Sequence, residues 1–532
     1  MKKIIISVLT LFGVATMLQS CVDDLNITPD DPLRLEADQF YSKPGAYKQA
    51  LAGIYGNLAL TGTNGAGSSN IGGIDAGTSQ YGRVLWYMQN LTTDEVIWSY
   101  ENDPGVRELQ RNIWNAANPI LRGMFGRAMF QVALTNEFLR QSTPEKLSAR
   151  GISSAEQAEI ATYRLEARAL RALAYYHLMD MFGKAPFVDE NTPISAAGPE
   201  YNRQQLFDFV ESELLAILPG LKAPKSNETG RLDQAFARMI LAKIYLNAQV
   251  YIGQDKYAAC AEQCTAILGA GYSLAPNYLH NFTADNHLSP EAIFYIQSDG
   301  IMTQNFGPTT VMINGQVGSI EQNGESMGVG AGGWGGALRL RKQFVDKFEG
   351  SEFSGDARKT IISGSRNANI SDIADRDQGF ILAKYSNRTS TGVAGQNTTF
   401  VDTDFPLFRL ADVHLMYVEC AIRGAAGANM STALSYVNAL RQRANNGSTI
   451  ANVNQSALTL DFILDERSRE LHWEGHRRQD LIRFGKFAGG VYNWAWKGNG
   501  SAGIAIPQFM NLFPIPEASL ASNPNLTQNP GY

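Results

Sequence analysis

The sequence predicts a mostly α protein in which paired helices stack into a curved scaffold and long loop-rich insertions sit on top. Three observations carry this. Several stretches repeat apolar residues with a period of 3.6 and occur in consecutive pairs, so each pair leaves an apolar face bare until a neighbour covers it. Small residues (Ala235, Ala242, Ala258, Ala433) stand where such helices would cross, beside bulky ones (Tyr245, Tyr257, Tyr417, Tyr436). Between the pairs the composition shifts to Gly, Ser, Asn and Thr over lengths that a simple connection does not need. At 532 residues the chain could form several domains, but a helical repeat fold reaches this size as one body.

Residues 1–20 have a Lys2-Lys3 start and then an apolar run too short to span a bilayer, which reads as a signal peptide. The run ends in Leu18-Gln19-Ser20-Cys21, a lipobox-like sequence that makes Cys21 the candidate lipidation site and the mature N-terminus. Asp23, Asp24, Asp30 and Asp31 follow closely. From 21 to 532 we expect a single body. Its hairpins match the tetratricopeptide-like pattern at about 36–60 with 106–140, at 161–220, at 232–271 and at 408–445. In "ATYRLEARALRALAYYHLMDMFG", Leu165, Ala169, Ala172 and Tyr176 share one stripe, and Pro219-Gly220 stops the following helix. The loop-rich insertions fall at about 61–105 and 272–405. Long loops on a rigid support are usually functional, so they are expected to form the ligand face.

A last helix is expected over about 462–487, followed by a tail. Its sequence, "LDERSRELHWEGHRRQDLIRFGKF", places His472 and His476 four apart and raises the question of zinc. A zincin needs its glutamate directly after the first histidine. Glu474 comes one place later, so on a helix it points away from any metal that the pair could hold. Gly475 weakens the helix, and His177, His280, His287 and His414 lie far off in sequence. The expectation is no metal, and a charge-laced helix in which Glu466, Arg467, Arg469, Glu470 and Arg478 form i,i+3 and i,i+4 ion pairs.

Bulk properties exclude other classes. The net charge is −6 and no basic block exists to displace phosphate counterions, so nucleic acid is not expected as a partner. After Cys21 the remaining cysteines are Cys260, Cys264 and Cys420, an odd number that argues against a disulfide framework. Cys260 and Cys264 read as a small apolar helix face. A glycosidase needs two carboxylates on either side of a bond. Asp94-Glu95 is the tempting pair, but adjacent side chains diverge. "GAGGWGG" lacks the Lys-Ser/Thr end of a phosphate loop. No cofactor is implied.

Several segments together resemble the SusD/RagB family: Cys21 with "VDDLNITPDDP", "EARALRALAYYHLMDMFGKAPFV", "FPLFRLADVHLMYVECAIR", "ILDERSRELHWEGHRRQDLIRFGKF" and "NLFPIPEASLASNPNLTQNPGY". They run in order along essentially the whole chain. The resemblance implies a non-enzymatic, lipid-anchored protein on the outer face of the outer membrane that hands oligosaccharides to a SusC-like TonB-dependent transporter. "GIDAGTSQYGRVLWYMQNLTTDEVIWSYENDPG", "AIFYIQSDGIMTQNFGPTT" and "GGWGGALRLRKQFVDKF" are similar to the loops of the family's starch-binding founder. Matched position by position, they imply Trp98 and Trp334 as stacking aromatics, Arg83 as a hydrogen-bond donor, and Asp75 and Asn102 as polar contacts. Phe306 falls where a tyrosine would be expected, with Tyr295 as the fallback. Sugar rings present an apolar C–H face and a belt of hydroxyls, which suits aromatic plates with Asn, Asp and Arg at the rim. Starch or a maltooligosaccharide is the expected ligand. A β-glucan in the same role and a tetratricopeptide-type protein-binding scaffold are the alternatives.

Overall fold

The structure, a computed structural model, describes residues 37–318 and 321–532; the 1–20 leader and Cys21 lie outside them. The protein is mostly helical and its helices stack in sequence order. Ala46–Ala59 packs on Pro119–Gln141, which lies along Ser154–Phe182, which in turn takes Arg203–Ile217 on its far side. Gln234–Leu246 packs on Tyr257–Leu268, which packs on Leu410–Ile422, which in turn takes Met430–Ala444. Local chemistry sets the boundaries. Asn118 accepts from the amides of Ile120 and Leu121, with Pro119 in the first turn. Asn202 and Gln205 form a reciprocal capping box. Gly183, at φ 71°, closes the longest helix by donating to the carbonyls of Leu178 and Met179.

Ser154–Phe182 is more deeply placed than one apolar stripe requires: apart from half-buried Arg168, every residue from Glu166 to Phe182 is buried. Ala235, Ala242 and Ala433 are buried, as expected of crossing points. Ala258 is exposed instead, and Cys260, Ala261 and Cys264 make that helix's inner face. The thiols of Cys260, Cys264 and Cys420 are free and buried.

Two features of the insertions differ from the expected loops. Tyr81–Trp86 is a helix that continues as one π-helical turn, Tyr87–Leu91, and all eleven residues are buried. Pro308–Gln316 is a second wholly buried helix. The strands are short. Val96–Trp98 pairs antiparallel with Leu338–Leu340, Trp98 opposite Leu338, and so ties the first insertion to the second.

The expected helix over 462–487 is two helices, Leu460–Leu471 and Arg477–Arg483, with a break between them. Trp473 stands at φ 61° and Gly475 at φ 82°. Tertiary bonds hold the break. The Trp473 amide donates to Glu95 Oε2 (3.1 Å), the Gly475 amide to Asn90 Oδ1 (3.0 Å), and the Trp473 carbonyl accepts from the Trp86 indole (3.1 Å). The ion pairs expected along one helix are therefore mostly long-range; only Glu466–Arg469 keeps i,i+3 spacing among those named. Arg358 meets Asp356, Glu466 and Glu470, while Arg409 meets Glu291, Glu470 and Glu474. Arg467 pairs with Asp412 and Asp480. Among the described residues Arg478 pairs with no carboxylate; it donates to the carbonyls of Met510 and Asn511 and lies over the Phe513 ring.

Candidate functional site

The Tyr81–Trp86 helix carries Arg83. Gln80 caps it, its side-chain oxygen accepting from the Arg83 amide (2.7 Å). One turn later the Tyr87 hydroxyl accepts from Arg83 Nε (3.0 Å), and the guanidinium lies over the Tyr87 ring. The π-helical turn beginning at Tyr87 is the kind of irregularity that often accompanies a functional site. Upstream, Asp75 Oδ1 accepts from the amide and hydroxyl of Thr78 (2.8 and 3.0 Å), which fixes an exposed turn.

The strand Val96–Trp98 delivers Trp98, and Tyr100 follows two residues later on the same side. From the second insertion comes Trp334, in a run of glycines. Gly333, Gly335 and Gly336 all have positive φ, and a Cβ on Gly333 would lie 2.8 Å from the Asn314 carbonyl oxygen. That carbonyl accepts from the Trp334 amide (2.8 Å), so the loop needs glycine to fold against the Pro308–Gln316 helix. Phe306 lies against Gly77, where a Cβ would come within 2.8 Å of its ring, and packs edge-on against Phe400.

These segments surround one open depression of about 360 Å³. Trp98, Phe306, Trp334, Arg83 and Asp75 all line it, so five of the seven residues implied by sequence come together. Asn102 is an exposed neighbour that does not line the depression; Asp103, one residue on, takes that place and accepts from the Trp98 indole (3.1 Å). Tyr295 is buried in the strand Ala292–Ile296, beside two other cavities, and is no fallback for Phe306.

Trp98 is only 2% exposed and belongs to the hydrophobic core, so it offers the depression little surface. Phe306 and Trp334 are half-buried. The residue that sequence reasoning missed is Tyr100, at 37% exposure, whose hydroxyl donates to the Trp334 carbonyl (2.6 Å). Trp98 meets Tyr100 and Trp334 edge-on, at 80° and 86° between planes. The indole thus serves as the post against which the two more open rings are set.

The carboxylate pair Asp94-Glu95 is spent on structure. Asp94 is fully buried and takes a two-pronged bond from Arg477 (2.7 and 2.8 Å). Against the pull of burial, Arg477 and Lys347 hold its carboxyl well below the usual range. Burial lifts Glu95 to about 7, while Asn90, Ser468 and the Trp473 amide donate to it. His472 and His476 lie on either side of the helix break. His472 Nδ1 is 3.0 Å from the Arg469 carbonyl, and His476 Nδ1 is 3.1 Å from Lys243 Nζ. Glu474 does not face outward; it is buried between Arg409 and Lys384. Among the described residues no group of His, Cys, Asp and Glu is arranged to hold a metal.

The sequence profile of the SusD family matches residues 292–532. The chain is also 30% identical to the starch-binding protein SusD of Bacteroides thetaiotaomicron across 96% of both chains. This chain belongs to the SusD family. SusD-like protein P25 of Formosa agariphila is 24% identical over 69% of this chain and 72% of its own. Among solved structures, a SusD homologue from Bacteroides thetaiotaomicron superposes with a TM-score of 0.73 at 20% identity, covering 94% of this chain and 99% of its own. Surface glycan-binding protein A from the same organism, in complex with laminarihexaose, gives 0.68 at 20% identity, covering 91% and 99%.

Proposed function

We propose that this SusD-family protein is a cell-surface glycan-binding lipoprotein, not an enzyme, which captures starch or maltooligosaccharides for import through a SusC-like TonB-dependent transporter. The observation that carries the reading is the depression itself. Trp334, Phe306 and Tyr100 offer apolar ring surface, and Arg83, Asp75 and Asp103 stand at the edge as donors and acceptors for hydroxyls. Full-length similarity to a starch-binding relative supports the α-glucan assignment.

Isothermal titration with maltoheptaose, a cyclic maltooligosaccharide and laminarin tests the ligand class. We expect the two α-glucans to bind and laminarin to bind more weakly or not at all; laminarin binding best would overturn the assignment in favour of a β-glucan. For the anchor, Cys21→Ala is expected to release the protein from the outer membrane with its fold intact. Among the described residues no helix is long and apolar enough to cross a membrane, so attachment in this reading rests on acyl chains at Cys21. Persistence of Cys21→Ala in the membrane of cells lacking the transporter would count against lipidation there.

A further inference from the structure

We propose that a chamber behind Arg83 takes one sugar unit carried sideways off the main chain, so that the preferred ligand is a branched α-glucan. This rests on the α-glucan reading above. Asp75, Arg83 and Asp103 line the aromatic depression and also a second cavity of about 630 Å³. The two cavities therefore adjoin at these three side chains, here called the partition. The chamber's other walls include Ile74, Pro104, Val106 and Pro119, with Thr78 and Tyr87.

Arg83 is the second observation. It is 9% exposed, and among the described residues it forms no ion pair: its side chain uses only Nε, bonded to Tyr87, and neither terminal nitrogen has a partner there. Arg83 lines both cavities, and its terminal N–H groups are open to them and can serve a ligand on either side of the partition. Asp75 and Asp103 share that partition, so an anionic substituent would meet two carboxylates. A neutral polyol suits the set: its oxygens accept from Arg83 while its hydroxyls donate to the aspartates.

Stacking decides which part of a glycan enters. The rings of Tyr100, Phe306 and Trp334 all belong to the depression. The chamber's one ring, Tyr87, is fully buried, and its hydroxyl already accepts from Arg83. A main chain running through the chamber would find no platform there. A single hexose hung from a stacked main chain needs none, because the main chain holds it at high effective concentration beside the polar partition.

The test compares a cyclic maltooligosaccharide with the same ring bearing one α-1,6-linked glucosyl unit, by isothermal titration of the wild type and of Pro104→Trp. Pro104 is exposed, lines the chamber and does not line the depression. We expect the branched ligand to bind wild type about ten-fold more tightly. In Pro104→Trp that advantage should vanish while the unbranched ring keeps its affinity, which also shows the variant to be folded. Equal affinities in wild type, or an equal loss for both ligands in Pro104→Trp, would overturn the branch assignment and leave the α-glucan reading standing. Failure of both ligands to bind wild type would sink the α-glucan reading and the branch assignment with it.

Discussion

Trp98 and Trp334 touch one another, yet replacing them should fail in different ways. Trp334 is half-buried, its backbone is fixed by the Asn314 carbonyl, and its indole opens on the depression. Trp334→Ala therefore removes ligand contact and little packing. An aromatic stack is worth about 1–1.5 kcal/mol, so maltoheptaose should bind roughly ten-fold more weakly, with Tm nearly unchanged. Trp98 is 2% exposed, its amide donates to Gln110 Oε1 (2.8 Å) and its indole to Asp103 (3.1 Å). Trp98→Ala opens a cavity in the core and should cost about 3–5 kcal/mol of stability. It should also weaken binding indirectly, because Tyr100 and Trp334 lose the indole between them. Paired calorimetric titration and thermal melts separate the two. The reasoning is refuted if Trp98→Ala melts like wild type, or if Trp334→Ala lowers Tm as far as Trp98→Ala does while leaving affinity untouched.

Two further outcomes follow from buried charge. Arg477→Met strips Asp94 of its two-pronged partner and should destabilise by about 3–5 kcal/mol, whereas adding Asp94→Asn should restore part of the loss; a denaturant series on the single and double variants measures the coupling, and strict additivity would count against the clamp. Asp404 is lifted to about 7 by burial, with Asp402 and Asp299 nearby. A carboxyl raised in the folded state holds its proton there while the unfolded chain releases it, so its contribution to stability falls as pH rises from about 4 to about 7 and stays low above. Asp404→Asn should thus gain on the order of 1 kcal/mol over wild type at pH 8 and little at pH 4, read from Tm at both; an equal effect at both pH values would argue against the raised carboxyl.

The helical pairs were legible because their apolar period and caps are local properties. Asn118-Pro119 and the Asn202/Gln205 box announce helix starts within four residues of sequence. Ala258 misled because one small residue in a helix does not say which face it occupies. At the site, Trp334 could be picked out by its flanking glycines. Tyr100 carried a signal that went unused: in "VIWSY" it stands two places after Trp98, and the Ser99 amide, bonded to Ala337, continues the strand pairing past Trp98. The depth of Trp98 could not be read locally, since Leu338, opposite it, lies some 240 residues away.

The helix break at Trp473 shows why the last motif resisted a local reading. A tryptophan at φ 61° is unfavourable by itself, and nothing within the motif compensates it. The compensation comes mostly from residues 86–95, between Arg83 and Trp98. Trp86 and Tyr385 donate to the Trp473 carbonyl, Glu95 accepts from its amide and from Ser468, Asn90 accepts from Gly475, and Asp94 is gripped by Arg477. The stretch between Arg83 and Trp98 is thereby bolted to the C-terminal helices along most of its length. In the glycan-binding reading, two loops must hold their rings and polar groups in register without a ligand to order them, and rigidity there lowers the entropy lost on binding. The two histidines and the glutamate that suggest a metal centre in the sequence instead flank the buried bolt: Glu474 pairs with Arg409 and Lys384, and the unusual backbone between the histidines lets the chain turn back to grip the wall of the site.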